Sequence, residues 1–588
     1  MSSISRFRLL SSLLLCTALI FSACTKKSAD PANTVRLSSI AKFKGLDPIQ
    51  GDDLYSATEA SRAYETLLDY HYLKRPYVLI PLLAESMPEV SKDGKTYTFK
   101  LKKGVLFHDD VSFKETQGKG REMTADDVIY SWKRLADPKN TSPNWWTFEG
   151  KIVGLDDWHN AAAKGAADYS KPIEGLKAID RYTLQVTLNQ PNSLFLYMLA
   201  MPSAAVVPHE AVEHYGKEFL NHAVGTGPYR LTEFNPNSKA IWDRNPTYRK
   251  ELYPSEGEPG DKEAGLLEDA GKPLPLNDRI IDTVYEEQQP QWLTFLSGKL
   301  DVSGIPKDNF AQAIDKSGKE LTPEMKAKNL HLGIYPSADL THLSFNMADP
   351  LMGKNKYLRQ ALSLAYDSTQ LIDLFYNGRA IPAQGPIPPM LAGYDPAFKN
   401  PYRQYNLEKA KELLAKAGYP GGKGLPTLDY VNLSDSTSRQ FAEYTQKAFS
   451  HLGVQLKVSS YSWPEFQAKI KNKQGQMWEF AWNGDYPDAE NFLQLFYGKN
   501  VSPGPNDGNY VNPAFDKLYE KSLTLTNEKE RLALYKQMVD IVVEDTPWIF
   551  GVHRTLYYLT QPWTKNYKYN NFSHSNAKHL RIDTALKK

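Results

Sequence analysis

Residues 454–488 read VQLKVSSYSWPEFQAKIKNKQGQMWEFAWNGDYPD, and the periodicity of this stretch sets the architecture. Val454, Leu456 and Val458 alternate with Gln455, Lys457 and Ser459, the pattern of a strand with one buried face. Ser462-Trp-Pro-Glu465 is a capping box with proline inside the first turn, so a helix starts there. It is expected to run to about Lys473 and to stop near Gly475. Met477–Asn483 forms the next strand, and Gly484 to Asp488 turns away from it. Immediately upstream, a helix over 437–452 stops at Gly453, after a strand over 427–433. Before that, Asn406 caps a helix whose Leu407, Ala410, Leu413, Leu414 and Ala417 share one face, and Gly418 ends it. Strands alternating with helices in this order predict a parallel sheet in an α/β lobe.

Open α/β sheets bind ligands beyond the carboxyl ends of their strands. Trp482 and Asp485 stand at one such end, and Trp463 stands at the end of the preceding strand. Two aromatics and a carboxylate thus converge where a ligand is expected. Further out, residues 97–102 and 182–188 alternate as half-buried strands, and Thr124-Ala-Asp-Asp127 caps a helix reaching about Leu135. Gly225-Thr-Gly-Pro-Tyr229 turns into another strand. Residues 253–277, rich in proline, glycine and charge, read as a surface insertion.

A chain of 588 residues is too long for one ordinary core and implies two or three lobes. Its amino end carries Arg6 and Arg8, a short apolar run from Leu9 to Phe21, and then Ser22, Ala23 and Cys24. That is the pattern of a secretory signal, too short for a comfortable membrane span. Phe-Ser-Ala-Cys24 resembles a bacterial lipobox, with Phe21 where leucine is usual, and implies cleavage before Cys24 and lipid on it. Residues 24–34 read as a polar tether. The net charge of +2 equals the two arginines of residues 1–23, so the rest is balanced. That balance gives no sign of the basic surface that nucleic-acid binding requires. Of the two cysteines, Cys16 leaves with the signal, which excludes a disulfide framework.

Several segments in order carry a family resemblance. Tyr97-Thr-Phe-Lys-Leu-Lys-Lys-Gly-Val-Leu-Phe-His-Asp109, Thr124-Ala-Asp-Asp-Val-Ile-Tyr-Ser-Trp-Lys-Arg134 and Gly225-Thr-Gly-Pro-Tyr229 resemble the extracellular solute-binding proteins, family 5, of dipeptide and oligopeptide ABC importers. Arg359-Gln-Ala-Leu-Ser-Leu-Ala365, Gly385-Pro-Ile-Pro-Pro389 and Trp482-Asn-Gly-Asp-Tyr-Pro-Asp488 fit the same class. The resemblance implies a three-lobed periplasmic-binding-protein-like fold, with two α/β ligand lobes joined by a hinge and one inserted lobe. Lobe I would comprise 35–65, 208–337 and 554–588, lobe II 66–207 and lobe III 338–553. It implies a monomeric receptor that performs no chemistry and needs no cofactor or metal. Anchored by lipid at the periplasmic face of a membrane, it would deliver short peptides to a permease.

In the family an aspartate meets the ligand's α-ammonium, and Asp485 matches it, with Asn483 and Tyr486 in the same motif. Trp463 and Trp482 match positions that pack side-chain pockets. Trp145 and Trp146 fall near a lobe II aromatic, and His553 near one at the junction of lobes III and I. Arginines that meet a peptide carboxylate in some oligopeptide binders are matched here by Ile470 and Glu479, and Glu479 would reject a carboxylate. Other cargo within the class includes murein peptide, nickel chelate, haem and opine-like solutes. A serine hydrolase is a second alternative: Ser39-Ile-Ala-Lys42 matches a serine–lysine acyl-enzyme pattern, but in a strand rather than at a helix start.

Overall fold

In the computed structural model, which describes residues 30–165 and 167–587, segment 454–488 folds largely as its pattern predicts. The strand Leu456–Tyr461, the helix Trp463–Lys471 and the strand Met477–Asn483 follow one another. The Ser462 backbone and hydroxyl both donate to Glu465 Oε2, at 3.1 and 2.7 Å, so the capping box is complete. Such a cap contributes about 1 kcal/mol. The helix ends two residues earlier than expected, because Lys473 takes a φ of 58° that no helix continues. The signal, Cys24 and the first part of the tether lie outside the described residues.

Upstream, Asn406 caps Leu407–Lys416, and Asp435 caps Ser436–Ser450. The strand Leu428–Leu433 pairs in parallel with both Leu456–Tyr461 and Met477–Asn483. The sheet as a whole, however, is mixed rather than parallel. Asp339–Phe345 lies antiparallel to Met477–Asn483 in register from Asp339 opposite Asn483 to Phe345 opposite Met477. Trp548–Phe550 completes this five-stranded sheet antiparallel to Asp339–Phe345. Every residue of Asp339–Phe345 is buried, so the strand shows none of the alternation that reveals a half-exposed one. Helices cover both faces: Leu413, Leu414 and Phe449 join Met477 in one core, while Phe466 and Ile470 join Trp478 in another.

The described residues also form three four-stranded and two two-stranded sheets, and two of the four-stranded ones lie apart from the strand crossings. One is antiparallel throughout, in the order Glu89–Val90, Thr96–Lys100, Thr183–Thr187 and Leu176–Asp180. Its companion helix Ala125–Ala136 carries the expected Thr124–Asp127 capping box. The other pairs Thr34–Ser39 in parallel with Arg279–Val284, then adds Lys239–Arg244 and Tyr229–Asn235 antiparallel. Segment 253–277 is not a loose insertion: Tyr253, Leu274 and Leu276 pack with Tyr72 and Leu73 in a core of their own. Lys568 clamps the same segment through Glu258 and Asp261, at 2.6 and 2.8 Å.

Two short passages carry the chain directly between the five-stranded sheet and the neighbouring sheet of Val302–Gly304, Val552–Thr560 and His331–Pro336, on which Ala380–Pro382 also pairs. One passage joins His331–Pro336 to Asp339–Phe345, and the other joins Trp548–Phe550 to Val552–Thr560. At the second, Gly551 donates its N–H to the Thr341 carbonyl at 2.8 Å, and Val552 donates to Thr341 Oγ1 at 2.9 Å. A Cβ on Gly551 would stand 2.5 Å from Thr341 Oγ1 and 2.8 Å from the Thr341 carbonyl oxygen. Gly551→Ala is therefore expected to cost about 1–3 kcal/mol, the usual penalty for overpacking. A urea-unfolding midpoint equal to that of the wild type would refute this account of the crossing.

Candidate functional site

The carboxyl ends of Leu428–Leu433, Leu456–Tyr461 and Met477–Asn483 open onto a cavity of about 310 Å³. The facing wall comes from residues 51–57, 143–146 and 201–203, with Asn571 and His574 from the carboxyl-terminal segment. Asp485, Trp482, Asn483, Trp463 and Trp146 all line this one cavity.

Asp485 is half-buried and sits just past the end of its strand. Asn491, from the turn-and-a-bit of helix Glu490–Leu493, holds it on two sides. The amide Nδ2 donates to Asp485 Oδ2 at 2.8 Å, and Oδ1 accepts from the Asp485 backbone at 2.9 Å. The same Oδ1 accepts from Trp482 Nε1 at 3.0 Å, so ring and carboxylate share one support. No lysine, arginine or histidine lies within ion-pair distance of Asp485 among the described residues. Burial pushes its carboxyl up to about 7; the Asn491 hydrogen bond opposes this and Glu490 adds to it.

The aromatic wall beside it is layered. Trp463 lies parallel to Phe480, with ring centroids 5.9 Å apart and 2° between planes, and Tyr55 meets Trp463 edge-on at 6.1 Å. Tyr55 belongs to Leu54–Ala60, so this contact reaches across the cavity. At the other end Glu479 stands with Tyr376, Phe441 and Arg554. Burial pushes the Glu479 carboxyl up to about 8; Asp435 adds to this and Arg554 opposes it. Lys471 crosses the cavity's edge to Asp52 at 3.8 Å and pairs with Asp507 at 2.8 Å.

Three expected site residues stand elsewhere. Tyr486 is fully buried, donates its hydroxyl to Glu490 Oε2 and stacks on Tyr197 at 6.1 Å. It packs with Trp146 and Met201, which do line the cavity, in a small core at the wall. Trp145 turns away from its neighbour and stacks on His159 at 4.8 Å. His553 is buried at the strand crossing, where its Nδ1 donates to the Asp339 carbonyl at 2.7 Å. Ile470, matched to an anion-binding arginine, faces the core with Val431 and Trp478. Asn491 carries no local signal: its role depends on a helix that returns to the strand end. Arg554 and His574 lie 69 and 89 residues beyond Asp485 in sequence, out of the reach of any local pattern.

A cavity between mixed α/β sheets, with two strands crossing beside it, is the architecture of the periplasmic binding proteins. DppA from Helicobacter pylori, an ABC transporter-associated periplasmic binding protein solved with the peptide STSA, superposes with a TM-score of 0.76. The two chains are 24% identical, and the match covers 94% of this chain and 98% of that one. The chain belongs to the bacterial extracellular solute-binding proteins, family 5 Middle, whose profile matches residues 78–504. The family is one of solute-binding receptors rather than enzymes. Heme-binding protein A of Haemophilus influenzae is 26% identical over 577 residues, covering 95% of this chain and 94% of its own. Di/tripeptide-binding protein 1 of Pseudomonas aeruginosa is 26% identical over 533 residues, covering 89% and 88%. No helix among the described residues is long and apolar enough to cross a membrane.

The raised Asp485 carboxyl has a consequence for stability. The folded, empty protein holds this proton up to about pH 7, whereas an unfolded aspartate loses it near pH 4. The folded state thus binds more protons across that window, and stability falls as pH rises through it. Asp485→Asn is expected to be more stable than the wild type at pH 8, with the advantage shrinking steadily as pH falls from 7 towards 4. Thermal unfolding of the ligand-free proteins at several pH values reads this, and a pH-independent difference would count against it.

Proposed function

We propose that this chain is a receptor that captures short peptides in this cavity by closing about the two strand crossings and presents them to an ABC permease. The observation that carries the reading is Asp485. A half-buried carboxylate without a cation is costly to ionise, and a peptide ammonium supplies the missing charge. Trp482, Trp463 and Trp146 offer apolar walls for side chains, and Asn483 offers a polar edge to the peptide backbone. The names of the di/tripeptide-binding relative and of the peptide complex agree with this cargo. Three lobes, at 35–65 with 208–337 and 554–588, at 66–207, and at 338–553, would divide the motion between them. Lipid on Cys24 would hold the receptor, as a monomer, at the periplasmic face of a bacterial membrane.

The cargo is tested by weighing the gently purified chain, from Thr25 onward, under native and denaturing conditions. A mass difference that resolves into short peptides is the expected result; haem, a sugar or a metal complex would remove the peptide reading. Asp485→Ala should keep the fold and weaken peptide binding by at least about 30-fold, the lower end of the 2–5 kcal/mol lost when one member of a buried charge pair is truncated. Unchanged affinity in titration calorimetry would show that the ammonium sits elsewhere. Cys24→Ser, expressed in a bacterium with the complete leader, should move the protein from the membrane fraction to the soluble one; retention on the membrane would argue against the anchor.

A further inference from the structure

Six charged side chains line the cavity: Asp52, Asp53, Lys471, Glu479, Asp485 and Arg554. Four are engaged by the protein itself. Asp52 pairs with Lys44 and lies 3.8 Å from Lys471, which also pairs with Asp507. Asp53 caps Leu54–Ala60 by accepting from the Tyr55 and Ser56 backbones. Arg554 is held by Asp339 through its Nε and its backbone N–H. The remaining two, Glu479 and Asp485, are both acids, and neither has a cation within ion-pair distance among the described residues. The wall therefore has two acids to offer a cation, and the one cation beside Glu479, Arg554, is paired with Asp339.

We propose that Glu479 makes the cavity select peptides bearing a second positive charge, on a lysine or arginine side chain, in addition to the amino terminus. This rests on the peptide reading above. Tyr376 and Phe441 stand beside Glu479 with ring centroids 6.2 Å apart, and both line the cavity. An ammonium or guanidinium approaching Glu479 thus enters a part of the cavity lined by two aromatic rings, against which its aliphatic stem can pack. Spacing agrees. Six residues of strand and turn separate Glu479 from Asp485, at most roughly 20 Å at about 3.3 Å per residue. An extended peptide of about three to five residues spans roughly 7–13 Å at the same rise, within that limit, and a lysine or arginine stem adds to its reach. A ligand with only its terminal ammonium would leave Glu479 without a cation to favour its ionised form. At this position an arginine would favour the opposite ligand charge, so Glu479 reverses the selectivity rather than merely removing it.

Titration calorimetry on the purified chain, with a panel of tri- to pentapeptides, tests this. Each peptide carries lysine at position two, three or four, and is compared with the same peptide carrying norleucine, which has a similar aliphatic stem without the charge. At least one lysine peptide should bind about tenfold or more tightly than its norleucine partner. In Glu479→Gln, of nearly the same shape, that preference should fall below about threefold, while the norleucine peptide keeps its affinity. Glu479→Arg should favour glutamate over lysine at the same position; melting temperatures near that of the wild type would show that both variants fold. Equal binding of lysine and norleucine peptides by the wild type, or a lysine preference that Glu479→Gln leaves intact, would overturn the inference while leaving the peptide reading in place. Failure of every peptide to bind the wild type would overturn both.

Discussion

Asp339 carries a fully buried carboxylate at the point where the chain leaves one sheet and enters another. Arg554 meets it from the second crossing strand, and removing either partner would strand a charge at a cost of about 3–5 kcal/mol. The cavity is built outward from this pair. Asp339 opposes Asn483 in the strand register, which fixes the position of the motif that ends in Asp485. The next residue back, Ala338, accepts from the Gly484 backbone at 2.8 Å and donates to Asn571 Oδ1 at 2.8 Å. Three segments distant in sequence thus meet within a few ångströms of one ion pair, and all three contribute to the cavity wall.

Away from this pair the walls are joined by apolar contacts, such as Tyr486 against Trp146 and Met201 and Tyr55 against Trp463, and by polar ones. Glu287 accepts from the Ser436 backbone at 3.1 Å, at the start of Ser436–Ser450, where a negative charge is favoured by the helix dipole. Lys471 reaches Asp52 at another edge, and Arg531 donates to Ser193 Oγ at 2.7 Å while pairing with Asp488 at 2.9 Å. Exchangeable contacts of this kind trade protein partners for water at small net cost.

What the sequence makes legible here is local. The capping boxes at Thr124 and Ser462, the alternation of Val454–Ser459 and the helix stops at Gly418 and Gly453 depend only on neighbours a few residues away. Asp485, Trp482 and Trp463 are reachable because strand ends follow from such local signals and from the turn at Gly484. The direction of Asp339–Phe345 is not, since a strand buried on both faces has no period and its pairing is nonlocal. Tyr486, Trp145 and His553 show a further limit. Each lies in or near a motif, but closeness along the chain does not fix where a side chain points, and each points into packing. Ile470 and Glu479 make the contrast within one unit: one lies on the inner face of a helix, the other on a strand face that opens at the cavity.

The three hydrogen bonds of Asn491 leave its amide only one orientation. Turned over, Nδ2 would face two N–H donors, those of Trp482 and Asp485, and Oδ1 would face a carboxylate. A side-chain amide otherwise free to rotate is thereby a fixed bracket, and the indole and carboxylate it holds lose their freedom when the chain folds rather than when a ligand arrives. The ordering cost at this wall has been met before capture. A ligand's binding energy is left for drawing the opposite wall inward.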